Sequence, residues 1–251
     1  STYKYKLTMK DSMTVKSSRN SKEQRRDNAF NVLNIIRSSD QGITRKQITE
    51  RTGLSYPSVN DIVNYLDSFG FLETFEGEGD SRKKVPCYRF TGGNHVVFGL
   101  SIIPRKFIGV CCNLKGEILY RFEEEYDTIS DRFPGIILDH FRKMKSDLTA
   151  RGLNLLGLGI GAPGLLEPQA GRVRYAAQFH ELETLNLKKM FRDALGIPVF
   201  LEHNTNLSAF AEKRIGSARD YSDFIYVILD SGIGGSLFHG NRLFRGSSRF
   251  L

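Results

Sequence analysis

The sequence of 251 residues is 40% apolar and 25% charged, which is typical of a folded protein, here expected to have two domains, and argues against a disordered chain. Three cysteines, two of them adjacent, argue against a disulfide framework. The sequence has no apolar run of about eighteen residues, which predicts a cytoplasmic protein without membrane spans. The net charge of +8 favours a polyanionic partner, because basic side chains that neutralise phosphates release counterions; a solubilising surface is the alternative.

The first segment of the chain is basic and has few apolar residues. Residues 1–22 show no clear period, and we expect them to form a flexible basic arm. From Asp27 onward the apolar residues recur at helical spacing, and Gly42 closes this element. The pattern predicts the first helix of a small domain over residues 23–91.

Two further helices follow closely. Thr44 and Gln47 form a capping box, which begins a helix that Gly53 ends after about two turns. So short a helix is typical of a helix-turn-helix. Ser55 then caps the third helix, and Pro57 is tolerated in its first turn. The apolar stripe that we expect to face the core consists of Val59, Ile62, Val63, Leu66 and Phe69.

The opposite face of the third helix is polar at its N-terminal end. Short polar side chains in this place read base edges in the major groove, and Asn can make a bidentate contact with adenine. The alternative is an ordinary solvated face of an amphipathic helix. The candidate DNA contacts on the helices are Arg45, Lys46, Tyr56, Ser58, Asn60 and Asn64.

A basic hairpin follows the three helices. The β-rich segments FLETFEG and VPCYRF flank a turn that contains the candidate phosphate contacts Arg82, Lys83 and Lys84. A hairpin after three helices is the arrangement of a winged helix, and the basic tip can lie on phosphates beside the groove. The first domain is therefore predicted to be a winged helix-turn-helix that binds double-stranded DNA.

The second domain, over residues 92–251, alternates strands and helices. Helical patterns over 133–150, 184–195 and 205–217 are separated by strand-like apolar runs, which predicts a layered α/β domain. In such domains ligands bind beyond the carboxyl ends of the strands. The segments GAPG and EHNTN both fall at such ends, so we expect a small-molecule site there.

Several motifs of this domain occur together in a known family. The segments LNLLGLGIGAPGLL, ALGIPVFLEHNTNLSAFAE and YVILDSGIGGSLFHGNRLFRG resemble, in order and spacing, the ROK family of sugar kinases and sugar-responsive repressors. The segment GITRKQITERTGLSYPSVNDIVNYLDSFGFLE is similar to the DNA-binding half of its repressor branch. The resemblance implies an actin/hexokinase-like (ribonuclease H-like) fold. It also implies a sugar site at Ala162, Pro163, Gly164, His203 and Asn204.

The sequence departs from the kinase branch of the family at two positions that carry its chemistry. Residues 101–105, SIIPR, stand where the kinases have a D-x-G-G-T phosphate loop, and Pro104 has no N–H to offer a phosphate. Asn204 stands where the kinases have the aspartate base, and an amide cannot usefully take a proton. His203 replaces an asparagine, and capping of the next helix is its alternative role. We therefore expect no catalytic residue, and a plain hairpin at residues 230–236.

Taken together, the motifs predict a transcriptional regulator of carbohydrate metabolism genes, a repressor that binds an operator as a homodimer and responds to a sugar. An ATP-dependent sugar kinase and a DNA-binding protein with a vestigial effector domain are the alternatives. We expect no cofactor and no metal site within the chain, because the Cys-rich zinc site and the G-E-x-G-H pattern that the resemblance implies would lie beyond Leu251. The second lobe of the fold is accordingly expected to be incomplete.

Overall fold

The computed structural model describes most of the chain, namely residues 21–78, 84–126, 133–177, 179–229 and 232–245. The chain divides into two compact units between Thr91 and Gly92. Most of the predicted arm and the wing residues Arg82 and Lys83 lie outside the described residues. Within the described ranges, no helix has the length and apolar character needed to cross a bilayer.

Among its described residues, the first unit contains three helices and three strands. In chain order they are α1 (Ser21–Arg37), β1 (Ile43–Thr44), α2 (Arg45–Thr52), α3 (Tyr56–Ser68), β2 (Leu72–Glu78) and β3 (Lys84–Phe90). The strands form an antiparallel sheet in the order β1-β3-β2. Helix α1 begins earlier than predicted and ends at Arg37, so Gly42 belongs to the following turn, where its φ of 86° requires glycine.

The predicted caps of α2 and α3 are confirmed. The Gln47 N–H donates to the Thr44 hydroxyl oxygen at 3.2 Å, and the Thr44 N–H donates to Oε1 of Gln47 at 3.0 Å. Gly53 ends α2 in the left-handed conformation, with a φ of 68°. The Ser58 N–H donates to the Ser55 hydroxyl oxygen at the start of α3. Both boundaries are thus set by residues within one helical turn of the helix end.

The core of the first unit contains most of the predicted stripe of α3. Val59, Val63 and Leu66 are buried against α1, α2 and the sheet. The prediction for Phe69 was wrong, because its side chain is 50% exposed. Phe69 lies past the last helical residue, so it leaves the helical stripe, and its ring packs at the surface against Tyr65 at 4.9 Å between centroids.

The second unit contains ten strands and four helices among the described residues. They are β4 (His95–Ile103), β5 (Lys106–Asn113), β6 (Ile118–Glu125), α4 (Phe133–Ala150), β7 (Asn154–Ala162), β8 (Leu165–Glu167), β9 (Arg172–Tyr175), α5 (His180–Glu183), α6 (Leu187–Leu195), β10 (Val199–His203), α7 (Asn204–Ile215), β11 (Phe224–Leu229), β12 (Ile233–His239) and β13 (Arg242–Leu243). The main sheet has the order β10-β7-β4-β5-β6. Strands β10, β7 and β4 run parallel, while β5 and β6 are antiparallel additions.

The main core of the second unit lies between this sheet and its helices. Phe98 of β4 stacks on Phe141 of α4 with 4.7 Å between ring centroids, and Phe191 of α6 packs edge-on against Phe141. All three rings are buried. This buried layer packs against one face of the sheet. The parallel strands β4, β7 and β10 have their carboxyl ends at the same edge of that sheet.

Candidate functional sites

The parallel strands bring the two predicted sugar-binding segments together. In the register of β10 against β7, His203 lies opposite Ala162, the last residue of β7. The turn that contains Pro163 and Gly164 follows β7 directly. Asn204 follows β10, the neighbouring strand, and is the first residue of α7. Residues that are about forty positions apart in sequence thus share one end of the sheet, the place where α/β domains bind ligands.

Asn204 is held by a hydrogen bond to the backbone of a different strand. Its Nδ2 donates to the carbonyl oxygen of Ile102 in β4 at 2.7 Å. A Cβ built on Gly161 would lie 2.4 Å from Oδ1 of Asn204, so glycine is needed there for the amide to fit. An aspartate could not make the contact with Ile102, because a carboxylate has no N–H to donate. The amide therefore binds the start of α7 to the main sheet.

Gly164 has a conformation and surroundings that only glycine satisfies. Its φ is 87°, in the left-handed region, and an added Cβ would lie 2.3 Å from the carbonyl oxygen of Tyr175 and 2.8 Å from Cβ of Ala176. The turn after β7 is therefore packed closely against the segment that follows β9. The turn directly follows Ala162, which lies opposite His203 in the sheet.

His203 caps helix α7, which was the alternative role weighed from the sequence. Its Nδ1 accepts the N–H of Thr205 at 3.2 Å, and the ring is partly buried. Burial lowers the pKa of His203 below its ordinary value, and the nearby Glu202 carboxylate only partly offsets this. The neutral tautomer with a proton on Nε2 is the form that can accept from Thr205. In this tautomer Nε2 is a hydrogen-bond donor.

The cap predicts a dependence of stability on pH. Because the pKa of His203 is lower in the folded chain, the unfolded chain binds more protons at acidic pH. The contribution of the cap to the free energy of unfolding is therefore complete above about pH 6.5 and is lost as the pH falls through the lowered pKa. In His203→Asn the amide oxygen can cap without titrating. We expect the variant to gain stability relative to the parent chain between about pH 7 and about pH 5 in urea unfolding. Parallel curves would contradict this role for the imidazole.

A charged network missed by the sequence predictions supports the start of α7. Oε1 of Glu202 accepts from Nδ2 of Asn206 at 2.9 Å, Asn206 accepts from the hydroxyl of Ser236 at 2.7 Å, and Arg245 forms an ion pair with Glu202. Burial raises the pKa of Glu202, but the hydrogen bonds from Asn206 and the His203 N–H, together with Arg245, lower it overall. The spacing of Glu202 and Asn206 within EHNTN is the only sequence signal for it.

Residues 101–105 form the end of β4 and a tight hairpin between β4 and β5. Pro104 and Arg105 form its two-residue turn, with Arg105 at a φ of 60°. Tyr126 donates its hydroxyl to the carbonyl of Ile103 at 2.6 Å and its N–H to the carbonyl of Arg105. These contacts tie the backbone to the end of β6. Pro104 in this turn has no N–H to donate.

The glycine-rich segment near the end of the chain connects two paired strands. Strands β11 and β12 are antiparallel, with Leu229 opposite Ile233. Asp230 and Ser231, which lie between them, are outside the described residues. Among the described side chains, no group of three or more His, Cys, Asp or Glu is placed to hold a metal ion.

In the first unit, the candidate DNA-contacting residues of α3 lie mostly in solvent. Tyr56 is 54% exposed, Ser58 and Asn64 are exposed, and Asn60 is partly buried. The hydroxyl of Ser58 shares a hydrogen bond with Ser55 at 2.8 Å. One end of the helix therefore displays short polar groups in the way that the sequence pattern predicts.

The basic candidates have different surroundings from one another. Lys46 lies 3.9 Å from Glu50 on α2, and Lys84 lies 3.1 Å from Glu76 across the β2–β3 ladder; both lysines are exposed. Arg45 is partly buried, and its guanidinium donates to Oδ1 of Asn64 at 2.8 Å. Exposed lysines can turn toward a phosphate, whereas Arg45 is engaged within the unit.

Comparison with known proteins finds one family model that covers most of the second unit and a solved structure that covers most of the chain. The model of the ROK family matches residues 98–250. A solved structure of a ROK family transcriptional regulator, a homologue of the E. coli MLC protein, superposes on 89% of this chain and 57% of its own with a TM-score of 0.76, at 19% identity. That likeness concerns the fold alone.

Curated relatives fall into two groups. The xylose repressor of Bacillus subtilis is 26% identical over 214 residues, which are 83% of this chain and 54% of the repressor. A beta-glucoside kinase of Listeria monocytogenes is 31% identical over 97 residues, which are 39% of this chain and 33% of the kinase. The chain spans about half the length of the repressor that it matches.

Proposed function

The chain belongs to the ROK family, and on that premise we propose that it is a sequence-specific DNA-binding transcriptional repressor of carbohydrate metabolism genes that responds to a sugar or sugar derivative. One observation carries the proposal. The match to the xylose repressor extends over 214 residues, more than residues 92–251 contain, so it must enter the first unit. The kinase match covers 39% of the chain.

The proposed DNA-binding part is the first unit, acting as a winged helix. Helix α3 would lie in the major groove with Tyr56, Ser58 and Asn60 near base edges, and Lys84 of the wing would lie against the phosphate backbone. Support comes from the exposure of Tyr56, Ser58 and Lys84 and from the side-chain caps of α2 and α3. We further propose a homodimer that reads two half-sites, since operators of this kind mirror two-fold symmetry.

The proposed sugar site is the end of the main sheet at which β7 and β10 finish, with Gly164 following β7 and with His203 and Asn204 at the end of β10 and the start of α7. Oδ1 of Asn204 and the imidazole of His203 supply an acceptor and a donor for hydroxyl groups. The site would bind a sugar without phosphorylating it, because Asn204 cannot accept a proton and the Pro104 turn lacks a phosphate cradle. Xylose and other pentoses come first in a calorimetric panel because of the name of the matched repressor.

A sugar kinase is the second candidate function, since beta-glucoside kinases are among the relatives. Transfer of phosphate from ATP to any sugar of the panel would support it and contradict the repressor proposal. A vestigial effector domain is the third. A calorimetric blank across the panel, together with intact operator binding, would support that alternative.

The two kinds of proposed DNA contact predict different responses to mutation. Asn60→Ala should relax the base preference at about one operator position, at a cost of about 1–3 kcal/mol for the preferred sequence. Lys84→Ala should weaken binding to all sequences alike and reduce the slope of log K against log salt by about 0.9. Fluorescence anisotropy at several salt concentrations, with the operator and a scrambled duplex, measures both. Equal effects of the two variants on both duplexes would contradict base reading by α3.

A further inference from the structure

Arg45 has a set of contacts that differs from those of the other basic candidates. Its guanidinium carbon lies 4.6 Å from the centroid of the Tyr88 ring, and Tyr88 is only 3% exposed. Its Nη2 donates to Oδ1 of Asn64 at 2.8 Å. Its Nε is buried and has no hydrogen-bond partner among the described residues. The side chain thus joins the start of α2 to α3 and to β3.

We propose that Arg45 is a positioning residue for base recognition: it fixes the amide of Asn64 with the NH₂ group directed away from α2, and it does not contact phosphate itself. The inference rests on the proposed function of the first unit. It changes the role expected for Arg45 from the sequence, which was that of a DNA contact.

The orientation of the Asn64 amide follows from the hydrogen-bonding groups of Arg45, its partner. A guanidinium has only N–H donors, so the amide oxygen must face Arg45, and the opposite orientation would place two sets of donors against each other. The stacking on Tyr88 holds the guanidinium plane in turn. Asn64 therefore keeps one orientation before DNA is bound, and its ordering costs less on binding.

The fixed amide has a consequence for the base that it reads. With its oxygen engaged by Arg45, Asn64 offers N–H donors, which match the acceptors of a major-groove edge. Guanine presents two neighbouring acceptors, N7 and O6, and thymine presents O4. In the contact that asparagine usually makes with adenine, the NH₂ group donates to N7 and the amide oxygen accepts from N6–H, but here the oxygen faces Arg45. We therefore expect the base pair read by Asn64 to be selected for acceptors, with guanine first.

The test is operator selection with the full chain, followed by salt-dependent binding of variants. Arg45→Ala should relax the same operator position as Asn64→Ala, on the order of tenfold. The double variant should be no worse than the worse single variant, because the two residues act through one contact. The salt slope should stay that of the parent chain. Lys46→Ala, the neighbouring basic residue, is the control and should reduce the slope by about 0.9 without changing base preference.

Arg45→Gln guards against a simple loss of folding, since it keeps an N–H donor and removes the charge. It should retain most of the base preference, and its circular dichroism should match that of the parent chain. The inference is overturned if Arg45→Ala and Arg45→Gln both reduce the salt slope by about 0.9 and leave base preference intact. If the parent chain selects no operator at all, the proposed function fails and this inference fails with it. An operator with adenine at the Asn64 position would overturn the donor assignment alone.

Discussion

Replacing Gly164 with alanine should lower the free energy of unfolding of the second unit by about 3 kcal/mol and abolish sugar binding. The added Cβ would lie 2.3 Å from a backbone carbonyl oxygen, that of Tyr175, and no side-chain rotation can relieve such a contact. The left-handed φ of 87° adds a conformational penalty. The turn after β7 would have to move away from β9, and the backbone beside His203 and Asn204 would move with it.

Gly152→Ala is the matched control for this variant. Gly152 also has a left-handed φ, 69°, but a Cβ there meets nothing within 4 Å. We expect a cost of about 1 kcal/mol from backbone conformation alone and unchanged sugar binding. Urea unfolding and calorimetry with the best ligand of the panel measure both quantities. Equal losses in the two variants would show that the close packing at Gly164 has no special role in the site.

Asn204→Asp should destabilise the second unit by about 3 kcal/mol near neutral pH and should not create a kinase. The substitution removes the N–H donor that α7 directs at the Ile102 carbonyl and places a carboxylate oxygen against it. Protonation of the introduced carboxyl would restore a donor, so the variant should regain stability as the pH falls. We therefore expect an aspartate at position 204 to weaken the contact between α7 and β4.

Asn241→Asp serves as the control, because the same chemical change occurs there on an exposed side chain in a turn. Its stability should remain within about 0.5 kcal/mol of the parent chain. Unfolding is followed in urea between about pH 4 and about pH 8. A stable Asn204→Asp variant, or one that transfers phosphate from ATP to a sugar, would contradict the structural role assigned to this amide.

Features set by neighbouring residues in the sequence could be predicted. The caps at Thr44 and Ser55 depend on groups within one helical turn, and the carboxyl-end positions of GAPG and EHNTN follow from strand order. The ROK resemblance and the α/β fold are confirmed. Both could be predicted because the motifs of the family are short and contiguous in the sequence. The error at Phe69 arose from continuing a helical period past the end of the helix.

The contacts that sequence reasoning missed connect distant segments. Arg245 reaches Glu202 across 43 positions, and Arg45 reaches Asn64 across 19. The contact of Asn204 with Ile102 spans 102 positions. No local pattern specifies such pairs, since they depend on the register of strands and the packing of helices. Arg45, Asn64 and Asn204 were candidates from the sequence, whereas Glu202 and Arg245 were not. The sequence predicted none of these residues as partners of one another.

The most direct test of the proposed function is operator selection from random duplexes by the purified chain, repeated with and without a panel of sugars. We expect one palindromic operator to be enriched, and one sugar of the panel to weaken binding to it by at least about tenfold, a typical coupling between two sites. The DNA should be bound in a salt-dependent manner in both cases. Salt-sensitive binding that enriches no sequence, with or without sugar, would contradict the account.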